Sequence, residues 1–215
     1  MIVYVESNFV LEVAYEQEQC SSAERLLELA KLGKIQLVIP AFSLIEPLWT
    51  IRKKEHDSKS TLDLLGQLSH DLDRSRARKH LSDALLSVVE SLKTIDQVAL
   101  GRYQSLVQQL MEFGSRIDLT ERLIMRSFEL ERRTGVKRFD ATVLASILHD
   151  LEIRKGPEPK RFVSRDKEAF NRPAVRAELR ALNCRFISDF AYAVRNIKGT
   201  APKTSRKTDR KDAPL

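Results

Sequence analysis

IVYVESN (2–8) decides how this chain is read. Four consecutive apolar residues, Ile2 to Val5, are too few for a helix and do not alternate, as expected of a strand buried on both faces. The run then stops on a carboxylate, a hydroxyl and an amide, Glu6, Ser7 and Asn8, which suits either a surface turn or one corner of a site. The pattern recurs. IQLVI (35–39) ends at Pro40, RFVS (161–164) leads into DKEAF, CRFIS (184–188) precedes a last helical stretch to about Ile197, and a weaker strand is expected at Arg116–Leu119. Helical patterns fill the gaps: around 8–32 with Gly33 as a stop, around 43–54, and from Pro173, whose fixed φ suits a first helical position. Short apolar strands alternating with helices predict an α/β fold, doubly wound on a central parallel sheet.

Residues 57–113 break that rhythm. They lack Pro, are nearly free of Gly, and carry helix-spaced apolar residues in LDLLGQL, LSDALLSVVESL and YQSLVQQLMEF. Two or three helices are expected here, an insertion at about 57–115 in a single domain spanning 1–198. Its basic cluster, RSRARKH (74–80), reads as a solvated helix face. The basic segment 199–215 has no apolar pattern and is expected to stay disordered.

The chain has 215 residues, 42% of them hydrophobic, enough for a sizeable core. Its 37 Lys and Arg against 30 Asp and Glu give a formal charge of +7, which suits a polyanion such as nucleic acid. Two cysteines, Cys20 and Cys184, and four histidines make a structural zinc site of the usual kind improbable. No apolar run approaches a membrane span and no secretory leader pattern is seen, so the expected location is cytoplasmic.

Four carboxylates stand out, each with an ordinary structural explanation. Ser43-x-x-Glu46 reads as a helix capping box, clouded by Pro47. Asp140 reads as an N-cap, with Phe139 and Leu144 as a hydrophobic staple; Asp166 is again placed as a cap, and Glu6 as an exposed acid in a turn that Ser7 would cap. Their joint placement points elsewhere. Glu6 and Asp166 leave the ends of strands, Glu46 sits on the helix fed by the second strand, and Asp140 opens the helix that returns to the fourth. In a doubly wound sheet, ligands bind outside the carboxyl ends of the strands, where strand order reverses. Acids converging there would need protons or a cation, and an all-oxygen set suits Mg²⁺ or Mn²⁺ and metal-assisted phosphodiester hydrolysis.

The segments VYVESN, SLIEP, RFDATVLAS and FVSRDKEAF resemble, in order and in βα context, the four acidic motifs of PIN-domain nucleases. The resemblance covers about 1–55 and 116–198 and implies a three-layer α/β/α fold, here with a helical insertion. It implies a Mg²⁺- or Mn²⁺-dependent endoribonuclease that uses activated water, often the toxin of a toxin–antitoxin pair. Glu6, Glu46, Asp140 and Asp166 match the family's acids, Asn8 its supporting polar residue and Ser164 its small hydroxyl residue. One position departs: the family's first acid is usually Asp, and here it is Glu6.

Arg165 and Lys167 flank Asp166 and could contact substrate phosphate, whereas Trp49 reads as core and His149 and Asp150 as lying outside the site. Expected partners are RNA, an antitoxin or other protein, and a second copy in a homodimer, with no membrane. The main alternative is a catalytically weak or inactive RNA- or protein-binding module on the same fold. A dinucleotide enzyme or phosphatase is disfavoured, because neither G-x-G-x-x-G nor an aspartyl nucleophile follows the first strand.

Overall fold

The computed structural model describes residues 1–75 and 77–199. Five strands, β1 (Ile2–Tyr4), β2 (Gln36–Pro40), β3 (Ser115–Ile117), β4 (Lys160–Val163) and β5 (Cys184–Ile187), form one parallel sheet in the order β3-β2-β1-β4-β5. The chain builds outward from β1 to β3, then crosses to β4 on the other flank. Strand order therefore reverses between β1 and β4.

The opening run is uniformly apolar because both its faces are covered. Val3 and Val5 point into one core with Phe9, Leu26, Leu37 and Ile39. Ile2 and Tyr4 point into a second core with Val38, Leu144, Phe162 and Phe170. Helices α1 (Ser7–Ala14), α2 (Cys20–Lys31) and α9 (Phe190–Gly199) serve the first core, together with parts of α3 (Phe42–Asp73) and α4 (Lys79–Phe113). Helices α5 (Glu121–Thr134), α6 (Arg138–Ile153), α7 (Lys167–Phe170) and α8 (Pro173–Ala181) serve the second. Gly33 stops α2 as expected, at a φ of 65°. Most of the basic tail lies outside the described residues; Gly199 closes α9.

The stretch expected as an insertion folds as two long helices, and the first of them begins well before residue 57. α3 runs unbroken from Phe42 to Asp73, so the helix carrying Glu46 is itself the first half of the arm. KKEHDSKS (53–60) holds neither Pro nor Gly, the residues that most firmly stop a helix. At 32 and 35 residues, α3 and α4 are each about 50 Å long. They pair through a seam of 3-4 spacing, which on α4 includes Ser82, Leu85, Val89, Leu92, Asp96 and Ala99. Between Ile51 and Ala99, the buried residues among those described are Ser69, Ser82 and Val89, and the two serines bond each other across the seam.

Outside the seam the hairpin has unlike sides. Leu64, Leu68, Leu81, Val88, Ile95 and Val98 are all 47–66% exposed at heptad-related positions on one side. Near the base of that side a shallow cavity of about 450 Å³ brings Lys54, Thr61, Leu92 and Ile95 together with Tyr15 of the domain.

Candidate functional site

The carboxyl ends of β1 and β4 lie side by side, and each delivers an acid. Glu6 follows β1 as the N-cap of α1, with its Oε2 accepting from the backbone N–H of Asn8 at 2.9 Å. The cap is therefore Glu6, not Ser7, and Asn8 contributes its backbone rather than its amide. The side chain is 4% exposed, and Oε1 has no hydrogen-bond partner. Asp166 follows β4 and caps α7, its Oδ1 accepting from the N–H of Ala169 at 2.7 Å. Ser164 Oγ accepts from the N–H of Asp166 at 3.0 Å and also lies beside Glu6.

Glu46 reaches the site from the second turn of α3. The anticipated capping box does not form: the N-cap is Ala41, without a side-chain bond, and Ser43 Oγ is buried without a partner. Pro47 sits inside the helix, where its missing N–H removes a backbone bond. Glu46 is held instead by the Ser7 hydroxyl, which donates to Oε2 in a short hydrogen bond. Asp140 likewise is not a cap. Lys137 precedes the helix, which places Asp140 in the first turn of α6, while Phe139 turns outward instead of closing a staple.

Glu6, Glu46 and Asp140 each feel neighbouring carboxylates. Burial pushes the Glu6 carboxyl from 4.5 up to about 8, with the charges of Glu46 and Asp140 adding to the shift against the pull of Asn8 and Ser164. Asp140 rises from 3.8 to about 6 through burial and the charges of Asp166 and Glu46, with Arg172 opposing. Glu46 is also raised, by burial and then by Asp166, against the Ser7 bond. In this conformation no three His, Cys, Asp or Glu side chains among the described residues are drawn together closely enough to hold a metal ion. The acids are near enough for their charges to act on one another, without closing to ligating distance. Arg172 stands by as a fixed cation, its Nε on the carbonyl of Glu168 at 2.8 Å and its Nη1 on that of Gly135 at 2.9 Å.

Arg165 is committed inside the protein. Its Nη1 bonds both carboxylate oxygens of fully buried Glu12, at 2.8 and 3.1 Å, and its Nη2 bonds Glu18 at 3.0 Å. This pair ties α1 to the loop carrying Asp166. Arg165→Ala would leave a buried carboxylate uncompensated and is expected to cost about 3 kcal/mol, with Arg165→Lys recovering part; urea unfolding checks both. Lys167 is exposed at the first position of α7. Asp150 lies outside the acid set, accepting from Tyr4 at 2.8 Å and Arg154 at 2.7 Å, and His149 is half-buried on the same helix.

Trp49 overturns its expectation. It is 77% exposed, one turn beyond Glu46 on α3. Sequence reasoning also missed Ser7 as the support of Glu46, and Glu12 as the partner of Arg165. Ser7 had a signal, since a polar residue following a strand-end acid can reach a neighbouring loop. Glu12, one acid within the apolar run Phe9–Ala14, had little. The chain matches no protein-family model and no curated protein.

Proposed function

We propose that this protein is a metal-dependent endoribonuclease of the PIN-domain kind, with a three-layer α/β/α body and the hairpin as its insertion. What supports the reading is that Glu6, Glu46, Asp140 and Asp166, from four separate elements, lie within electrostatic reach of one another at the edge of a parallel sheet whose strand order reverses between β1 and β4. Their donor chemistry fits a hard divalent cation, Mg²⁺ or Mn²⁺: every candidate ligand atom is a carboxylate oxygen, and Glu6 Oε1 is buried without a bond. Such an ion, when bound, supplies Lewis-acid polarisation of a phosphodiester and acidifies water. The chain's own part is positioning. Asn8 N–H fixes Glu6, Ser7 fixes Glu46, and Ala169 N–H fixes Asp166. Arg172 and Lys167 provide positive charge for a substrate phosphate, whereas Arg165 serves Glu12.

The test is cleavage of a mixed RNA panel by purified protein in Mn²⁺, in Mg²⁺ and in EDTA. Cleavage confined to the metal-containing reactions supports the reading; cleavage that survives EDTA, or its absence in both metals, sinks it. One observation favours the second reading, a binding module without catalysis: the acids are not drawn to ligating distance, and the first of them is the longer Glu. RNA affinity in EDTA without cleavage in either metal would establish that reading.

The partner proposed for the apolar side of the hairpin is a second copy. Its middle, Thr61, Leu64, Val88 and Ser91, is neutral, so two copies can meet across a twofold axis without like charges opposed. Val88→Glu is expected to shift a dimer to monomer in light scattering. A wild type already monomeric at tens of micromolar would remove the homodimer.

A further inference from the structure

We infer that the outward face of α3 from Ile45 to Lys59, together with Phe139 of α6, is a track for single-stranded RNA leading to the four carboxylates. The inference deepens the nuclease reading and rests on it for what happens at the track's end. Its basis is placement. Residues 45, 46, 49, 52, 53, 56 and 59 recur at helical spacing, so they share one side of α3. They are Ile45, Glu46, Trp49, Arg52, Lys53, His56 and Lys59, and Glu46 is the only acid among them. Across from their start, Phe139 adjoins Asp140 and rests against Phe42 with ring centroids 5.2 Å apart.

Exposure is the second observation. Trp49 is 77% exposed, Ile45 60% and Phe139 58%. Large apolar side chains are ordinarily withdrawn into a core, and Trp has the most area to withdraw. Here three flank two of the acids in the open. Lys53 and Lys59 continue the same side beyond Trp49, exposed and cationic. From Glu46 to Lys59 is about 20 Å of helix.

Aromatic faces followed by cations answer the two features of an unpaired strand, free base faces and a phosphate backbone. Base stacking on Trp49 and Phe139 requires bases that are not already in a duplex, so the track selects single strands. Lys53 and Lys59 attract phosphates without reading sequence, which makes binding salt-dependent.

Trp49 is the chain's one tryptophan, so its emission reports on this face alone. The experiment titrates full-length protein in EDTA with a 12-nucleotide oligouridine and with a duplex RNA of equal length. Quenching and anisotropy are read together. The expected result is saturable quenching by the single strand and not by the duplex. Trp49→Ala should weaken binding about 5- to 100-fold, Trp49→Phe should retain most of it, and Lys53→Gln with Lys59→Gln should flatten the salt dependence.

Binding by anisotropy without quenching, or unchanged affinity in Trp49→Ala, overturns the track. So does emission that shifts with protein concentration in the absence of RNA, which would mark Trp49 as a protein interface. The two readings fail separately. Quenching that Trp49→Ala abolishes, without cleavage in Mn²⁺, keeps the track and removes the nuclease. Metal-dependent cleavage with an unchanged KM in Trp49→Ala keeps the nuclease and removes the track.

Discussion

Asp140→Asn is expected to lower Mn²⁺- or Mg²⁺-dependent RNA cleavage by more than about 100-fold. Loss of a residue that merely orients a metal ligand costs roughly 10- to 100-fold, and Asp140 is proposed as a ligand itself. The substitution keeps size and shape and removes one charge. It does so at a position where burial and the charges of Asp166 and Glu46 already work against ionisation. Thermal stability without metal should therefore be equal to or higher than that of the wild type. Melting temperature and cleavage rate, measured on identically purified proteins, then separate a functional loss from a folding loss. Equal cleavage by both proteins would mark a contaminant, and a large fall in stability would assign Asp140 a structural role.

Such a variant can be designed because much of the site is written in local sequence. IVYV, LVI and FV are apolar without alternation because two cores enclose the sheet, and that feature needs no knowledge of partners. Acids just past such runs fall at the carboxyl edge of any parallel sheet, so Glu6 and Asp166 were readable in place. The readings that failed depended on what lies across space. Ser43 and Glu46 have capping-box spacing, yet the helix starts in a turn where Ser7 takes Glu46 instead. The charged stretch after Lys53 looked like a break between elements, but with no Pro or Gly to stop it and α4 to pair against, α3 runs straight through it. Trp49 looked like core because apolar periodicity cannot say which side of a helix has a neighbour. Arg165 looked free because Glu12, 153 residues earlier, gives no local sign of needing a cation.

Glu6 sets a pH dependence that a cation should reverse. Its carboxyl titrates near 4.5 when unfolded and near 8 when folded, chiefly through burial. Between those values the folded chain holds more protons than the unfolded one, so stability falls as pH rises. The contribution is complete below about pH 4.5 and is lost through about pH 8. Asp140, raised from 3.8 to about 6, adds to the lower part of the same window. Glu6 alone sets an upper limit of roughly 4–5 kcal/mol for the fall. In EDTA, the melting temperature should therefore decline by several degrees between pH 5 and pH 8. A divalent cation binds the ionised carboxylates and competes with the protons. Millimolar Mn²⁺ should accordingly raise the melting temperature strongly at pH 8 and little at pH 5. Glu6→Gln removes the titrating group, so its profile in EDTA should be flatter and its gain from Mn²⁺ smaller. The same variant should lose cleavage while gaining stability at pH 8 without metal, because the unpartnered buried oxygen that destabilises the fold is the one offered to the cation. A Mn²⁺ effect equal at both pH values, or equal in Glu6→Gln and wild type, would place the ion elsewhere on the protein and remove Glu6 from the site.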